Sequence, residues 1–191
     1  MRPTDEELIL DYQAGNVSAL EEVFHRYKKP VLNFSLRILA NRADAEDVVG
    51  DVFVALSSQK YTQRPGIKFS TWLFKIARNC SISKIRKRKK LTFMWFKDKK
   101  TDQDCAWDIP DNEDSSSEVL IKKEKADYVQ QAIQTLPIQQ KEAIILREYH
   151  ALSYDQIAEI MECSLDNVKI LIFRAREQLK KKLRSLIKED E

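Results

Sequence analysis

The sequence predicts an all-α chain built as two small helical domains joined by a flexible linker, the C-terminal domain containing two helices with a tight corner between them. Three observations carry that expectation. Only three Gly and five Pro punctuate 191 residues, and 33% of the residues are charged, a composition that favours helices with solvated outer faces over a strand-rich fold. Apolar residues recur at helical spacing through most of the chain, and no segment alternates as a strand does. One stretch at 97–118, "KDKKTDQDCAWDIPDNEDSSSE", is polar and aperiodic, with a Pro and three consecutive Ser, as expected of a flexible linker. The domains are therefore placed at 1–96 and 119–191.

The first helix is expected in "TDEELILDYQAG", where Thr4 can cap, Glu7 stands three residues on, and Gly15 stops the run. "SALEEVFHRYKKPVLNFSLRILA" places Ala19/Leu20, Val23/Phe24, Tyr27, Val31/Leu32, Leu36 and Leu39 on one stripe, with Pro30 as a kink site. "NRADAEDVVGDVFVALSSQ" offers Asn41 or Asp44 as cap and turns Val48, Val49, Val52, Phe53 and Leu56 inward. A polar loop, "SSQKYTQRPGIK", precedes "FSTWLFKIARNCSISKIRKRKK", an amphipathic helix that ends strongly basic. In the second domain, "EVLIKKEKADYVQQAIQTL" runs to Pro137, followed by "PIQQKEAIILREYH" and then by "SYDQIAEIMECSLDNVKILIFRAREQLKKKL".

Composition excludes several classes of function. No apolar run is long enough to cross a bilayer, and "MRPTDEELIL" lacks the apolar core of a secretion signal, so a cytoplasmic location is expected. Cys80, Cys105 and Cys163 form no CxxC pair, and His25 and His150 stand alone. Neither a disulfide frame, a metal site nor a cofactor is indicated. No nucleophile–base pair or phosphate loop is present, which disfavours an enzyme.

The net charge of +3 conceals a pattern. Residues 64–100 carry thirteen Lys/Arg against one Asp/Glu, whereas residues 101–135 carry three against nine. Such a basic block is the electrostatic footprint of nucleic-acid binding.

Three elements can carry that binding. Ser153 with Gln156 fits a capping box. Ile157, Ala158, Met161, Cys163, Val168 and Ile172 follow the spacing of a helix-turn-helix core, and Ser164 can cap the second helix. That helix would lie in the major groove, with Asn167 and Lys169 nearest the base edges and Arg174, Arg176 and later lysines at phosphates. Ile170, Leu171, Ile172 and Phe173 are four apolar residues in a row. One helix face cannot bury all four, so either the helix packs on both sides or some of them meet a DNA methyl or another protein. In the first domain, Tyr61, Phe69, Trp72 and Phe74 accompany the basic helix, the pairing that holds single-stranded nucleic acid. Trp72 is read as core, with Lys75, Arg78 and Asn79 on the opposite face. Asp44, Glu46, Asp47 and Asp51 cluster on a third element; Asp47 and Asp51 share a helix face and suit the docking of a basic protein surface.

These elements, in this order, resemble an extracytoplasmic-function sigma factor, the smallest form of the bacterial sigma family. "DAEDVVGDVF" is similar to the family's core-polymerase-binding helix. "FSTWLFKIARN" closely matches the helix that melts and reads the minus-ten element, and the stretch from "LPIQQKEAIILREYH" to "FRAREQL" is similar to the minus-thirty-five-reading domain. The resemblance implies a non-enzymatic factor that binds core RNA polymerase, at its clamp helices and flap, and directs promoter-specific initiation. It implies that Asp47 and Asp51 meet the clamp helices and that Lys75, Arg78, Asn79, Lys84 and Arg86 serve the minus-ten element. The loop Ser57 to Gly66 would hold a flipped base, and Ser164, Asn167, Lys169, Arg174 and Arg176 would serve the minus-thirty-five element. It also implies an anti-sigma partner wrapping between the domains.

The chain departs from the family pattern at Gly50, where Gln is usual, and in "DNVKILI", where the family usually reads "GTVKSRL". Asp166, Ile170 and Leu171 there replace Gly, Ser and Arg, which implies an unusual upstream sequence or a subfamily with its own rule. Two rival classes fit part of the chain: a repressor or activator using the helix-turn-helix alone, and an adaptor binding protein through the acidic helix and the Ile170–Phe173 patch.

Overall fold

A computed structural model of the chain describes residues 2–58, 61, 67–95 and 117–189. Within them lie eight helices and no strand. The predicted loop Ser57 to Gly66 is described only at residues 57, 58 and 61, and most of the predicted linker, with Cys105, lies outside the described residues.

Helix α1 (Asp5–Gln13) starts at the expected capping box: Thr4 Oγ1 accepts from Glu7 N, and Glu7 Oε2 accepts from Thr4 N. Those two bonds occupy donors that the first helical turn cannot use internally. Helix α2 (Val17–Leu39) carries Pro30 in its interior and buries Val23, Val31, Phe34 and Ile38. It ends at Ala40, whose φ of 51° is left-handed. For α3 (Arg42–Ser58) the cap is Asn41, whose Oδ1 accepts from Asp44 N at 2.8 Å. Its Val48, Val49, Val52 and Leu56 are buried and Phe53 partly so.

Helix α4 (Phe69–Trp95) buries Phe69, Leu73, Phe74 and Ala77. Trp72 is only partly buried and lies against Tyr61 and Phe69, ring centroids 5.5 and 5.8 Å away. Helix α5 (Ser117–Gln134) begins two residues before the expected domain boundary. Helices α6 (Ile138–Glu148), α7 (Tyr154–Met161) and α8 (Leu165–Glu189) complete the chain. The second capping box also forms, Ser153 Oγ accepting from Gln156 N and Gln156 Oε1 accepting from Ser153 N. Ile157, Met161, Val168 and Ile172 are buried between α7 and α8, with Ala158 and Cys163 partly buried beside them.

The two helical groups, α1–α4 and α5–α8, are packed together. Helix α7 lies on α4, and α5 and α6 lie on α2. One apolar cluster runs through both groups. His150 sits in the seam, its ring 4.6 Å from that of Phe74 and 5.9 Å from that of Phe34. Burial, reinforced by the Arg37 charge, lowers its pKa from 6.5 to about 4, so the imidazole is neutral at physiological pH.

Candidate nucleic-acid interface

Helix α8 settles which of its four consecutive apolar residues point inward. Leu171 and Ile172 are buried, whereas Ile170 and Phe173 are 47% and 66% exposed. With Val168 and Ala175 also buried, the opposite face presents Asn167, Lys169, Ile170, Phe173 and Arg174 to solvent. Ser164 Oγ accepts from Asn167 N at 3.2 Å, making it the cap of α8. The unusual Asp166 is engaged by Lys169, whose ammonium lies 3.1 Å from its carboxylate. This exposed pair partly neutralises the Asp166 charge. Arg176 pairs with Glu148 at 2.6 Å, which ties α8 to the end of α6.

The basic face of α4 is occupied quite differently along its length. Lys75 reaches Glu162 at 3.0 Å and Glu159 at 3.5 Å, both on or capping α7. Arg78 Nη2 donates to Glu142 Oε2 at 3.2 Å, and Glu142 is 1% exposed. Asn79 and Arg86 are exposed. Lys84 turns to α3, donating to Asp47 Oδ2 at 3.0 Å. Arg88 lies 3.8 Å from Asp44. The predicted minus-ten residues therefore share one helix, but Lys75 and Arg78 face the C-terminal group while Lys84 faces the acidic helix.

On α3, Asp47, Gly50, Asp51 and Val54 form one exposed stripe opposite the buried valines. A Cβ built on Gly50 meets nothing within 4 Å, so the glycine leaves a flat, open patch between the two carboxylates.

The residue that sequence reasoning missed is Glu142. Burial pushes its carboxyl above the usual carboxylate range, and the Arg78 charge pulls it partly back. Its neighbours Gln140 and Lys141 are buried too, a polar run that periodicity reads as solvated. A second missed contact joins the halves through the capping box itself: Gln156 Nε2 donates to Thr71 Oγ1 at 3.4 Å. Among the described residues no His/Cys/Asp/Glu group could hold a metal ion, and no helix is long and apolar enough to cross a membrane.

Residues 23–91 match the family model described as Sigma-70 region 2, and residues 126–179 match that described as Sigma-70, region 4. The chain is 31% identical over 186 residues to the ECF RNA polymerase sigma-E factor of Haemophilus influenzae, covering 96% of this chain and 97% of that protein. It is 29% identical to the RNA polymerase sigma-H factor of Pseudomonas aeruginosa, over 97% of this chain and 96% of that one. It is also 29% identical to ECF RNA polymerase sigma factor SigW of Bacillus subtilis, over 93% and 96%. In fold it is similar to the sigma factor RpoE solved in complex with the anti-sigma factor NepR from Bartonella quintana, with TM-score 0.71, 23% identity, and coverage of 86% of this chain and 96% of that one. It is likewise similar to CnrH solved in complex with the cytosolic domain of CnrY, with TM-score 0.69, 20% identity, and coverage of 96% and 99%.

Proposed function

The chain belongs to the extracytoplasmic-function sigma factors, promoter-specific initiation factors that act with RNA polymerase and perform no catalysis of their own, and from that premise we propose how its residues divide the work. Residues 1–96 and 119–191 act as two domains with 97–118 between them. The exposed stripe of α3, with Asp47 and Asp51, docks on the clamp helices of core polymerase. Lys75, Arg78, Asn79, Lys84 and Arg86 of α4 capture the opened minus-ten strand, cations tracking the backbone. The N-terminal part of α8 enters the major groove of the minus-thirty-five element.

The observation that carries this reading is the sidedness of α8. Its exposed face combines Asn167, Lys169 and Arg174 with Ile170 and Phe173, a polar, cationic and apolar mixture that suits a groove lined with base edges and thymine methyls. Ile170 and Phe173 are assigned to those methyls, while Ser164 positions the helix start and Arg176 meets phosphate. This chain acts in the cytoplasm, where polymerase is, and is held in check by an anti-sigma protein, the class of partner named for the similar RpoE structure.

Transcription in vitro with purified core polymerase and genomic template tests the reading. Discrete transcripts that require this chain are expected. Tight, specific duplex binding without polymerase, and no transcripts, would favour a repressor instead.

A further inference from the structure

We propose that Asp166 sets upstream specificity: its carboxylate, paired with Lys169, selects a C·G base pair by accepting from the cytosine amino group in the major groove. This inference rests on the assignment of α8 to the minus-thirty-five element.

Position argues for it. Asp166 lies in the first turn of α8, the end of a recognition helix that comes nearest to base edges. Asp166, Ile170 and Phe173 stand at i, i+4 and i+7, one row along the helix. That row lies opposite the buried Val168, Leu171, Ile172 and Ala175. The Asp166 side chain is 84% exposed, so its carboxylate leads the face assigned to the groove.

Chemistry names the base pair. An ionised carboxylate only accepts hydrogen bonds, and in the major groove only cytosine N4 and adenine N6 donate them. Guanine O6 and N7 and thymine O4 are acceptors, and they repel it. Lys169 Nζ lies 3.1 Å from Asp166 Oδ1, which sets a donor beside an acceptor. A C·G pair presents the complement at matching spacing, cytosine N4 and guanine O6 standing about 2.9 Å apart. An A·T pair offers adenine N6 beside thymine O4 in the same way, and the flanking atoms separate the two. Guanine N7 gives the ammonium a second acceptor next to O6, whereas adenine N7 sets a lone pair against the carboxylate. Both partners of the Asp166–Lys169 pair therefore favour C·G.

Rejection follows from the same charge. Over any other base pair the carboxylate enters the groove without a donor, in the negative field of the phosphates. Asp166 thus excludes wrong sequences as well as holding the right one.

The test uses holoenzyme assembled from the full-length chain and purified core polymerase. The template is a responsive promoter with its upstream element randomised and a barcode in the transcribed region. For the native chain, one position is expected to favour cytosine on one strand by about tenfold, the discrimination of one well-made base contact. Asp166→Asn, whose amide can accept from adenine N6 and donate to N7, is expected to move the preference at that position to adenine. Asp166→Ala should accept every base there, and the preferences at other positions should stay as they are. N4-methylcytosine at the same position keeps its pairing with guanine and puts a methyl where the carboxylate needs a hydrogen. It should lower native transcription about tenfold and leave transcription by Asp166→Ala unaltered. A native profile with no cytosine-restricted position, variants that keep the native profile, or a loss spread evenly over all sequences overturns the proposal, the last marking Asp166 as a support for the helix start. Should either variant fail to fold, the methylated template decides with the native chain alone, full activity on it overturning the proposal. Transcription that depends on the upstream element while no position follows residue 166 removes this inference and leaves α8 as the reader of that element; transcription indifferent to the element removes the premise as well.

Discussion

Lys84 crosses from α4 to α3 and donates to Asp47 at 3.0 Å, bringing a residue assigned to promoter DNA into contact with one assigned to polymerase. The Lys84 ammonium is held above its ordinary pKa chiefly by that bond, yet the Asp47 side chain remains 67% exposed. A half-solvated pair of this kind contributes little to stability, so Asp47 is available to a basic partner. The double charge reversal Asp47→Lys/Asp51→Lys is expected to abolish capture of core polymerase in a pull-down while leaving the far-ultraviolet circular dichroism unchanged. Capture at native affinity refutes the docking role of α3. Lys84→Ala, which frees Asp47, is expected to leave capture intact.

Gly50 and Ala40 stand at positions that would each suit the other residue. Gly50 lies inside α3 with open space around its missing Cβ, and glycine in a helix interior costs about 1 kcal/mol relative to alanine. Ala40 ends α2 in the left-handed region at φ 51°, where a Cβ costs about 1–2 kcal/mol and glycine is the usual residue. Gly50→Ala is expected to raise stability by about 1 kcal/mol. Ala40→Gly should raise it by about 0.5–1 kcal/mol once the added freedom of the unfolded glycine is counted. Urea midpoints that rise with unchanged slopes confirm both; a fall for Gly50→Ala would mean that the helix needs the glycine for a reason other than space.

His150 gives the seam a pH dependence with a definite sign. Its folded pKa is about 4 against an ordinary 6.5, so between those values the unfolded chain takes up a proton that the folded chain refuses. Stability is therefore full above about pH 6.5 and falls as pH drops toward about 4. Arg37, charged throughout, adds to the repulsion, while Phe34 and Phe74 supply the apolar walls. Glu142 acts in the opposite sense, because its raised carboxyl pKa makes the folded state take up a proton early on acidification. The net loss expected from His150 is roughly 2–3 kcal/mol. Urea titrations at a series of pH values should show His150→Gln losing most of this slope; an unaltered slope would place its origin elsewhere.

The contacts assigned to Ile170 and Phe173 can be tested first on the DNA and then on the protein. Replacing thymine by uracil in the upstream element of a responsive promoter removes C5 methyls and no hydrogen-bonding group. Initiation by the holoenzyme is expected to fall about threefold to tenfold for each contacted methyl, at about 1 kcal/mol per contact, and Ile170→Ser should abolish the sensitivity at one position. Full activity on uracil-substituted template would exclude methyl contact.

Both capping boxes, the inward valines of α3 and the helix-turn-helix core were legible in the sequence, because each is a local pattern of residue types at fixed spacing. The packing of α5–α8 on α1–α4 was not. It depends on Glu142, which stands in a polar run that looks solvated and is buried only because α2, α7 and α8 surround α6. The fate of "ILIF" was half legible: periodicity shows that four adjacent residues cannot share one side, but only the neighbours of α8 decide that Leu171 and Ile172 turn in. The pairing of Lys75 with α7 could not be read at all, since opposite charges more than eighty positions apart carry no local signature.

The α3 stripe stays open to solvent while α7 rests on α4. If Asp47 and Asp51 dock on polymerase, recruitment therefore needs no rearrangement of the two helical groups, and substitutions that loosen or tighten their packing can leave the number of recruited molecules unchanged.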